Sequence, residues 1–155
     1  MKKHIFILSG VVALVDQVVK ILASNFLAGN TSIPIIKDFF YLTYVENTGA
    51  AWGILSGNRY FLIIIAILAI YGIVKYFLLD VNITKLEFVA YSLILGGVIG
   101  NLIDRILYGF VVDYADFRFG DYNFPVFNIA DAAIVIGAGL VIFHLIRNAV
   151  KQRRV

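Results

Sequence analysis

Four stretches of this chain are long and apolar enough to leave it little choice of solvent. They run from about Ile5 to Leu27, Tyr60 to Leu79, Phe88 to Leu107 and Ile129 to Ile146. A hydrocarbon core of about 30 Å needs about 20 apolar residues wound as a helix, and each stretch is near that length. With 61% hydrophobic and 15% charged residues over 155 positions, the chain is too apolar for an ordinary water-soluble domain. The expectation is an integral membrane protein: one domain over residues 1–155, an all-α bundle of four transmembrane helices with a small extracytoplasmic β-sheet.

The first stretch follows Met1-Lys2-Lys3 and so looks like a secretory leader. Asp16 and Lys20 interrupt it and no clear small-residue cleavage site follows, which predicts a retained helix. If four helices alternate, Lys2, Lys3, Lys75, Lys85, Arg147, Lys151, Arg153 and Arg154 fall on one side. The other side receives Lys37, Arg59 and Arg118 among Asp38, Glu46, Asp113, Asp116 and Asp121. That asymmetry predicts cytoplasmic termini and extracytoplasmic connections at about 28–59 and 108–128. Within the first connection, the β-branched and aromatic run from Ile33 to Val45 predicts short strands, which the small residues of Asn47-Thr48-Gly49-Ala50-Ala51-Trp52-Gly53 then break. Trp52 and several Tyr and Phe rings are expected in the interfacial belt, with Trp52 a candidate cover over a polar cleft.

Several chemistries find no support. Cysteine is absent, which removes disulfides, thiolate metal sites and a Cys nucleophile. His4 and His144 lie near opposite chain ends, and on the deduced topology both belong to the cytoplasmic side, so neither a metal site nor a Ser/His pair is expected. The net charge of +3 comes from basic residues flanking apolar segments, a pattern that fits membrane topology rather than nucleic acid.

What remains is a set of polar residues in or beside the apolar runs, where a carboxylate costs a few kcal/mol and is by default a functional candidate. Asp16 and Lys20, four apart, share one face of the first helix in the favourable acid-before-base order. They form either a packing ion pair or a pair that orients other polar groups. Asn101, Asp104 and Arg105 share a face near the end of the third run. Asp104 and Arg105 also fit interfacial anchors, whereas Asn101 lies deeper. Asn128 and Asp131 repeat the i, i+3 spacing where the fourth helix starts, as an N-cap and a first-turn acid would. With Asp113 in Val111-Val112-Asp113-Tyr114 and with Asn47, they gather at one membrane boundary.

Two carboxylates held together at a low-dielectric boundary resist joint ionisation, so one keeps a proton while the other stays charged. That is the arrangement needed to activate a water and to protonate a leaving amide nitrogen. Asp113 and Asp131 are the candidate pair. A small ion- or proton-coupled transporter is the competing reading, since buried Asp and Lys also serve transport. It should spread its polar path toward both faces, however, and here the polar groups collect toward one. A purely structural membrane protein is a third reading, which gives no reason for the two aspartates to converge.

Taken together, Asp16-Gln17-Val18-Val19-Lys20, Asn47-Thr48-Gly49-Ala50-Ala51-Trp52-Gly53, Gly100-Asn101-Leu102-Ile103-Asp104-Arg105, Val111-Val112-Asp113 and Phe127-Asn128-Ile129-Ala130-Asp131 closely resemble the bacterial lipoprotein signal peptidases, the signal peptidase II family. The first motif is weak alone; the last three, in this order within one small four-helix chain, are highly specific. Tyr114 stands where the family often has Phe, and keeps an aromatic ring. The resemblance implies an intramembrane aspartic endopeptidase of the bacterial plasma membrane that cleaves prolipoproteins before a diacylglyceryl-modified lipobox cysteine. It implies Asp113 and Asp131 as the catalytic dyad, and Asn47, Asn101, Arg105 and Asn128 as residues that hold substrate or orient the dyad. Asp16 and Lys20 would be a supporting polar pair. It further implies inhibition by the cyclic peptide globomycin, contact with membrane lipids, no metal or organic cofactor, and a monomer.

Overall fold

The computed structural model describes residues 2–29, 32–50, 53–79 and 83–153, so Trp52 and its expected role as a cover lie outside the described residues. In chain order the elements are α1 (Lys2–Leu27), β1 (Ile33–Ile36), β2 (Phe40–Asn47), α2 (Arg59–Leu79), α3 (Lys85–Leu107), β3 (Val111–Phe119), β4 (Tyr122–Asn123) and α4 (Ile129–Gln152). All four helices are long and apolar enough to cross a membrane. All four extend past the apolar runs that announce them, by one residue in α2 and by more in the others. The Thr84 side chain accepts from Glu87 N–H and the Glu87 carboxylate accepts from Thr84 N–H, a capping box that starts α3 at Lys85 rather than Phe88. At the far end of α4 the helix continues through charged residues to Gln152.

The bundle is organised around α3, which packs against α1, α2 and α4. Of its membrane span 39% is buried, against 11% of α2, whose sides are left to lipid. Close approach explains the difference. A Cβ on Gly96 would stand 2.7 Å from the Ser9 carbonyl oxygen, and one on Gly97 would collide with the Ala130 carbonyl of α4. Small residues let helix backbones meet where lipid supplies no hydrophobic drive for association. At the chain-terminal end of the bundle, Ile5, Phe77, Ile83 and Leu95 form an apolar cluster, and Tyr91 meets Phe77 edge to face at 5.5 Å.

The strands form one antiparallel sheet, order β1-β2-β3-β4, at the end of the bundle where α1 and α3 finish and α4 begins. Strands were expected between Ile33 and Val45 and are present there. The longest strand, β3, was not foreseen, because its pairing partner β2 lies far away in sequence. Period-two alternation gives β3 two faces. Val112 and Tyr114 pack on Ala23 and Leu27 of α1, so Asp113 turns to the opposite face, where Val45 is its partner across the ladder. A bulge between Leu42 and Val45 sets that register.

Because the atom facing Gly97 is backbone, it cannot swing aside, and Gly97→Ala is expected to lose about 1–3 kcal/mol of stability through overpacking. At Gly139 nothing lies within 4 Å of the place an added methyl group would take. Gly139→Ala should therefore be neutral or stabilising by roughly 0.5–1 kcal/mol. Thermal unfolding of the two variants in the same detergent checks the contrast.

Candidate active site

Asp113 and Asp131 come from different elements and are joined by one asparagine. Asn128 precedes α4, where its side-chain oxygen accepts the Asp131 N–H at 2.9 Å and the Asp131 carboxylate accepts the Asn128 N–H at 3.3 Å. This reciprocal cap fixes both side chains by the ordinary needs of a helix N-terminus. The remaining Asn128 amide, Nδ2, donates to Asp113 at 2.6 Å and lies within reach of the Asn101 side-chain oxygen at 3.2 Å. The second Asp113 oxygen accepts from Asn47 Nδ2 at 2.9 Å, and Asp131 accepts from Asn101 Nδ2 at 2.7 Å.

Asp113 is 1% exposed. Burial, and then the negative charge of Asp131, push its carboxyl up to about 7, against the opposing pull of Asn47, Asn128 and Lys20. A carboxyl so placed holds a proton near neutrality. Beside it opens a cavity of about 310 Å³ lined by Val45, Asn47, Thr48, Asp113, Pro125 and Val126.

Behind the two aspartates lies an ionic core. Lys20 Nζ donates to Asn101 Oδ1 at 2.8 Å and is ion-paired with two carboxylates, lying 2.8 Å from Asp16 Oδ2 and 3.0 Å from Asp104 Oδ2. Lys20, Asp16 and Asp104 are 2%, 0% and 1% exposed. Each acid makes a further bond. Asp16 accepts the Ala130 N–H at 2.9 Å, satisfying an orphan donor in the first turn of α4. Asp104 accepts the Val112 N–H at 3.1 Å and Gln17 Nε2 at 2.7 Å. Lys20 thus holds Asn101, which holds Asp131, while Asp104 holds the backbone beside Asp113.

Every site residue expected from the sequence belongs to this assembly, although not in one role. Asn47, Asn101 and Asn128 touch the two carboxylates; Asp16 and Lys20 stand behind them. Arg105 donates to the Gly49 carbonyl at 2.7 Å and to the Asn101 carbonyl at 3.4 Å, tying the loop after β2 to α3. Asp104 is not the interfacial anchor that its helix-end position allowed: it is buried and ion-paired. Its i, i+3 spacing from Asn101 was the available signal. Gln17 gives no sequence signal beyond being a polar neighbour of Asp16. Tyr114 does more than supply a ring, since its hydroxyl oxygen accepts the Ile129 N–H at 3.1 Å, which a phenylalanine could not do. Among the described residues, no group of three or more His, Asp or Glu side chains is placed to hold a metal ion.

Removing the lysine leaves two carboxylates buried without their counter-ion. Lys20→Met is expected to cost about 3–5 kcal/mol, the usual penalty for breaking a buried ion pair from one side. Thermal unfolding in detergent checks it, and recovery on adding Asp104→Asn, which removes one of the two stranded charges, would identify uncompensated charge as the cause.

The chain is similar in sequence and fold to known proteins. The family model described as Signal peptidase (SPase) II matches residues 8–147. The chain is 47% identical over 141 residues to the lipoprotein signal peptidase of Halothermothrix orenii, covering 91% of this chain and 94% of that one. It is 41% identical over 149 residues to that of Bacillus pumilus, covering 96% of each. A bacterial membrane enzyme solved by the in meso method superposes with a TM-score of 0.87 at 37% identity, covering 95% of this chain and 90% of that one. With its four membrane-spanning helices, this multi-pass membrane protein belongs to the signal peptidase II family of peptidases.

Proposed function

We propose that this chain is an aspartic endopeptidase that removes the signal peptide from prolipoproteins, cleaving before a lipobox cysteine that carries diacylglycerol. The observation that carries the reading is the bridge through Asn128, which holds Asp113 while capping the helix turn that carries Asp131. Burial and then the charge of Asp131 favour a proton on Asp113, so that one carboxyl of the pair can donate. The ionised member takes a proton from water as the water oxygen attacks the scissile carbonyl carbon. The protonated member then gives its proton to the amide nitrogen as the C–N bond breaks. Asn47, Asn101 and Asn128 orient the pair, and Arg105 holds the Gly49 loop beside it.

The same reading makes the chain a single domain and a monomer. It puts both termini in the cytoplasm and the aspartates toward the extracytoplasmic side, where a substrate anchored by its lipid reaches them from within the bilayer. Globomycin would compete for the pair. A transporter finds no support in the similarities, and the polar groups collected at one end of the bundle fit hydrolysis better than alternating access.

Cleavage of a synthetic diacylglyceryl lipobox peptide by the purified protein tests the proposal. Asp113→Asn and Asp131→Asn should each reduce turnover on the order of a thousandfold or more while the protein stays folded, because the pair acts together. A folded wild type that cleaves no such peptide, or variants that keep activity, would overturn it.

The pH profile supplies a second test. With Asp113 raised to about 7 by burial and by Asp131, activity that needs the protonated form should fall as pH rises above about 7, tenfold per unit. The Asn47 N–H favours the charged form, so Asn47→Ala should raise the Asp113 pKa further. Its alkaline limb is expected at higher pH than that of the wild type, whatever the loss in maximal rate.

A further inference from the structure

Two cavities flank β3, and they are built from different parts of the chain. One, of about 270 Å³, lies between α1 (Gln17, Lys20, Ser24, Asn25) and the end of α3, with Val112 in its wall. The other, of about 310 Å³, opens beside Asp113, and among the described residues it takes no lining from a membrane-spanning helix. Its walls are the end of β2, the loop after it, and Pro125 and Val126 on the segment that returns from β4 to α4. On the proposed topology the signal sequence descends from the aspartates into the bilayer. A cavity made only of extracytoplasmic connections therefore stands on the side of the residues that follow the modified cysteine.

The returning segment is an edge. Pro125 has no N–H to give, which confines such a residue to the edge of a sheet or to a bulge. On either side of it the chain is tied to β3. The Phe124 N–H donates to the Phe117 carbonyl at 2.9 Å, and Phe127 exchanges two bonds with Ala115, at 2.8 and 3.1 Å. Because the Phe127 N–H points at β3, the Val126 carbonyl, on the other side of the same planar trans peptide, points away from it. Among the described residues neither that carbonyl nor the Val126 N–H has a hydrogen-bond partner. Across the cavity Gly53 has spent its N–H on Ala50 and its carbonyl on the Ser56 N–H, and the Thr48 and Ser56 hydroxyls bond each other at 2.6 Å. The Thr48 N–H is also uncommitted, but Thr48 is exposed whereas Val126 is half-buried. Backbone groups drawn partly out of water and left bare are costly until something pairs with them.

We propose that the Val126 N–H and carbonyl form a main-chain docking edge for the first residues after the modified cysteine, which lie along it as a short added strand. The edge has this role only if the chain is the peptidase proposed above, to which it adds the place of the substrate's mature side. A cavity of about 310 Å³ takes about two residues of extended chain at roughly 3.3 Å each. Strand addition grips peptide groups, which every sequence has, and leaves side chains free to vary. Such an edge reads the presence of an extended chain and not its sequence.

The test uses the full-length protein in detergent and the synthetic diacylglyceryl lipobox peptide, continued several residues past the cysteine. Analogues carry an ester in place of one amide, at position +2, +3 or +6 with the modified cysteine as +1, which removes a single N–H and leaves the scissile bond intact. The ester at +2 or at +3 should raise KM about three- to tenfold with kcat unchanged, the loss of one hydrogen bond made equally before and in the transition state. At +6, beyond the cavity, it should have no effect. Val126→Pro removes an N–H that no contact within the fold uses. It should raise KM for the parent peptide to a similar extent and shrink the +2 or +3 penalty, because the pairing that the ester probes is already loosened. Circular dichroism checks that the variant is folded, and the esters test the edge on the wild type by themselves. Esters at +2 and +3 that both match the parent peptide, a folded Val126→Pro that matches the wild type, or an ester penalty undiminished in that variant would each overturn the docking edge and leave the peptidase reading intact. A folded wild type that cleaves neither the parent nor any analogue would overturn both.

Discussion

A lysine ammonium that is 2% exposed inside a membrane bundle can persist only where its lost hydration is replaced. Desolvating it costs several kcal/mol, and three well-placed acceptors offset that cost. Two of them, Asp104 and Asn101, sit on α3, while the third, Asp16, sits one turn away on α1. The register of α1 against α3 is therefore set by the geometry of one ammonium group. Through their second bonds the two acids extend this to α4, by the Ala130 N–H, and to β3, by the Val112 N–H. The elements that carry Asp131 and Asp113 are both referenced to the same buried charge.

The two aspartates gain their relation from residues already needed for ordinary structure. Asn128 and Asp131 would form a reciprocal cap on any helix; here the cap's spare amide reaches Asp113. Buried asparagines are suited to this work because each supplies a donor and an acceptor without adding charge. Asn101 uses both, accepting from Lys20 and donating to Asp131. The chain of contacts from Lys20 to Asp131 runs through the Asn101 amide and holds the carboxylate in place.

The bundle gathers its buried aspartates and asparagines at one end and is apolar along its flank. α2 faces lipid with little buried surface, and at the opposite end the polar contacts are of another kind: Tyr76 donates to Glu87 at 3.0 Å, and His144 lies 3.5 Å from the same carboxylate. The sheet then splits the polar end in two. Because β3 alternates, Asp113 looks toward one cavity while Val112 and Tyr114 look toward α1, next to which lies the other. The two cavities have no lining residue in common.

Much of this protein was legible in its sequence. The four apolar runs determined the fold class, because only a helix of about 20 residues satisfies both the thickness and the hydrogen-bonding demands of a bilayer. Spacing alone brought Asp16 to Lys20 and Asn128 to Asp131, since i, i+3 and i, i+4 neighbours meet on any helix. The aspartates stood out as carboxylates beside apolar segments. Tertiary structure decided the rest. Asp104 at a helix end could have faced water or the core, and only the arrival of Lys20 from α1 made it a buried partner. The strand β3 depends on pairing with β2, a contact between distant segments that no local pattern specifies. Sequence determined what each helix must bury; which polar groups meet across the bundle was decided by backbone approach at small residues and by the need to satisfy one buried ammonium.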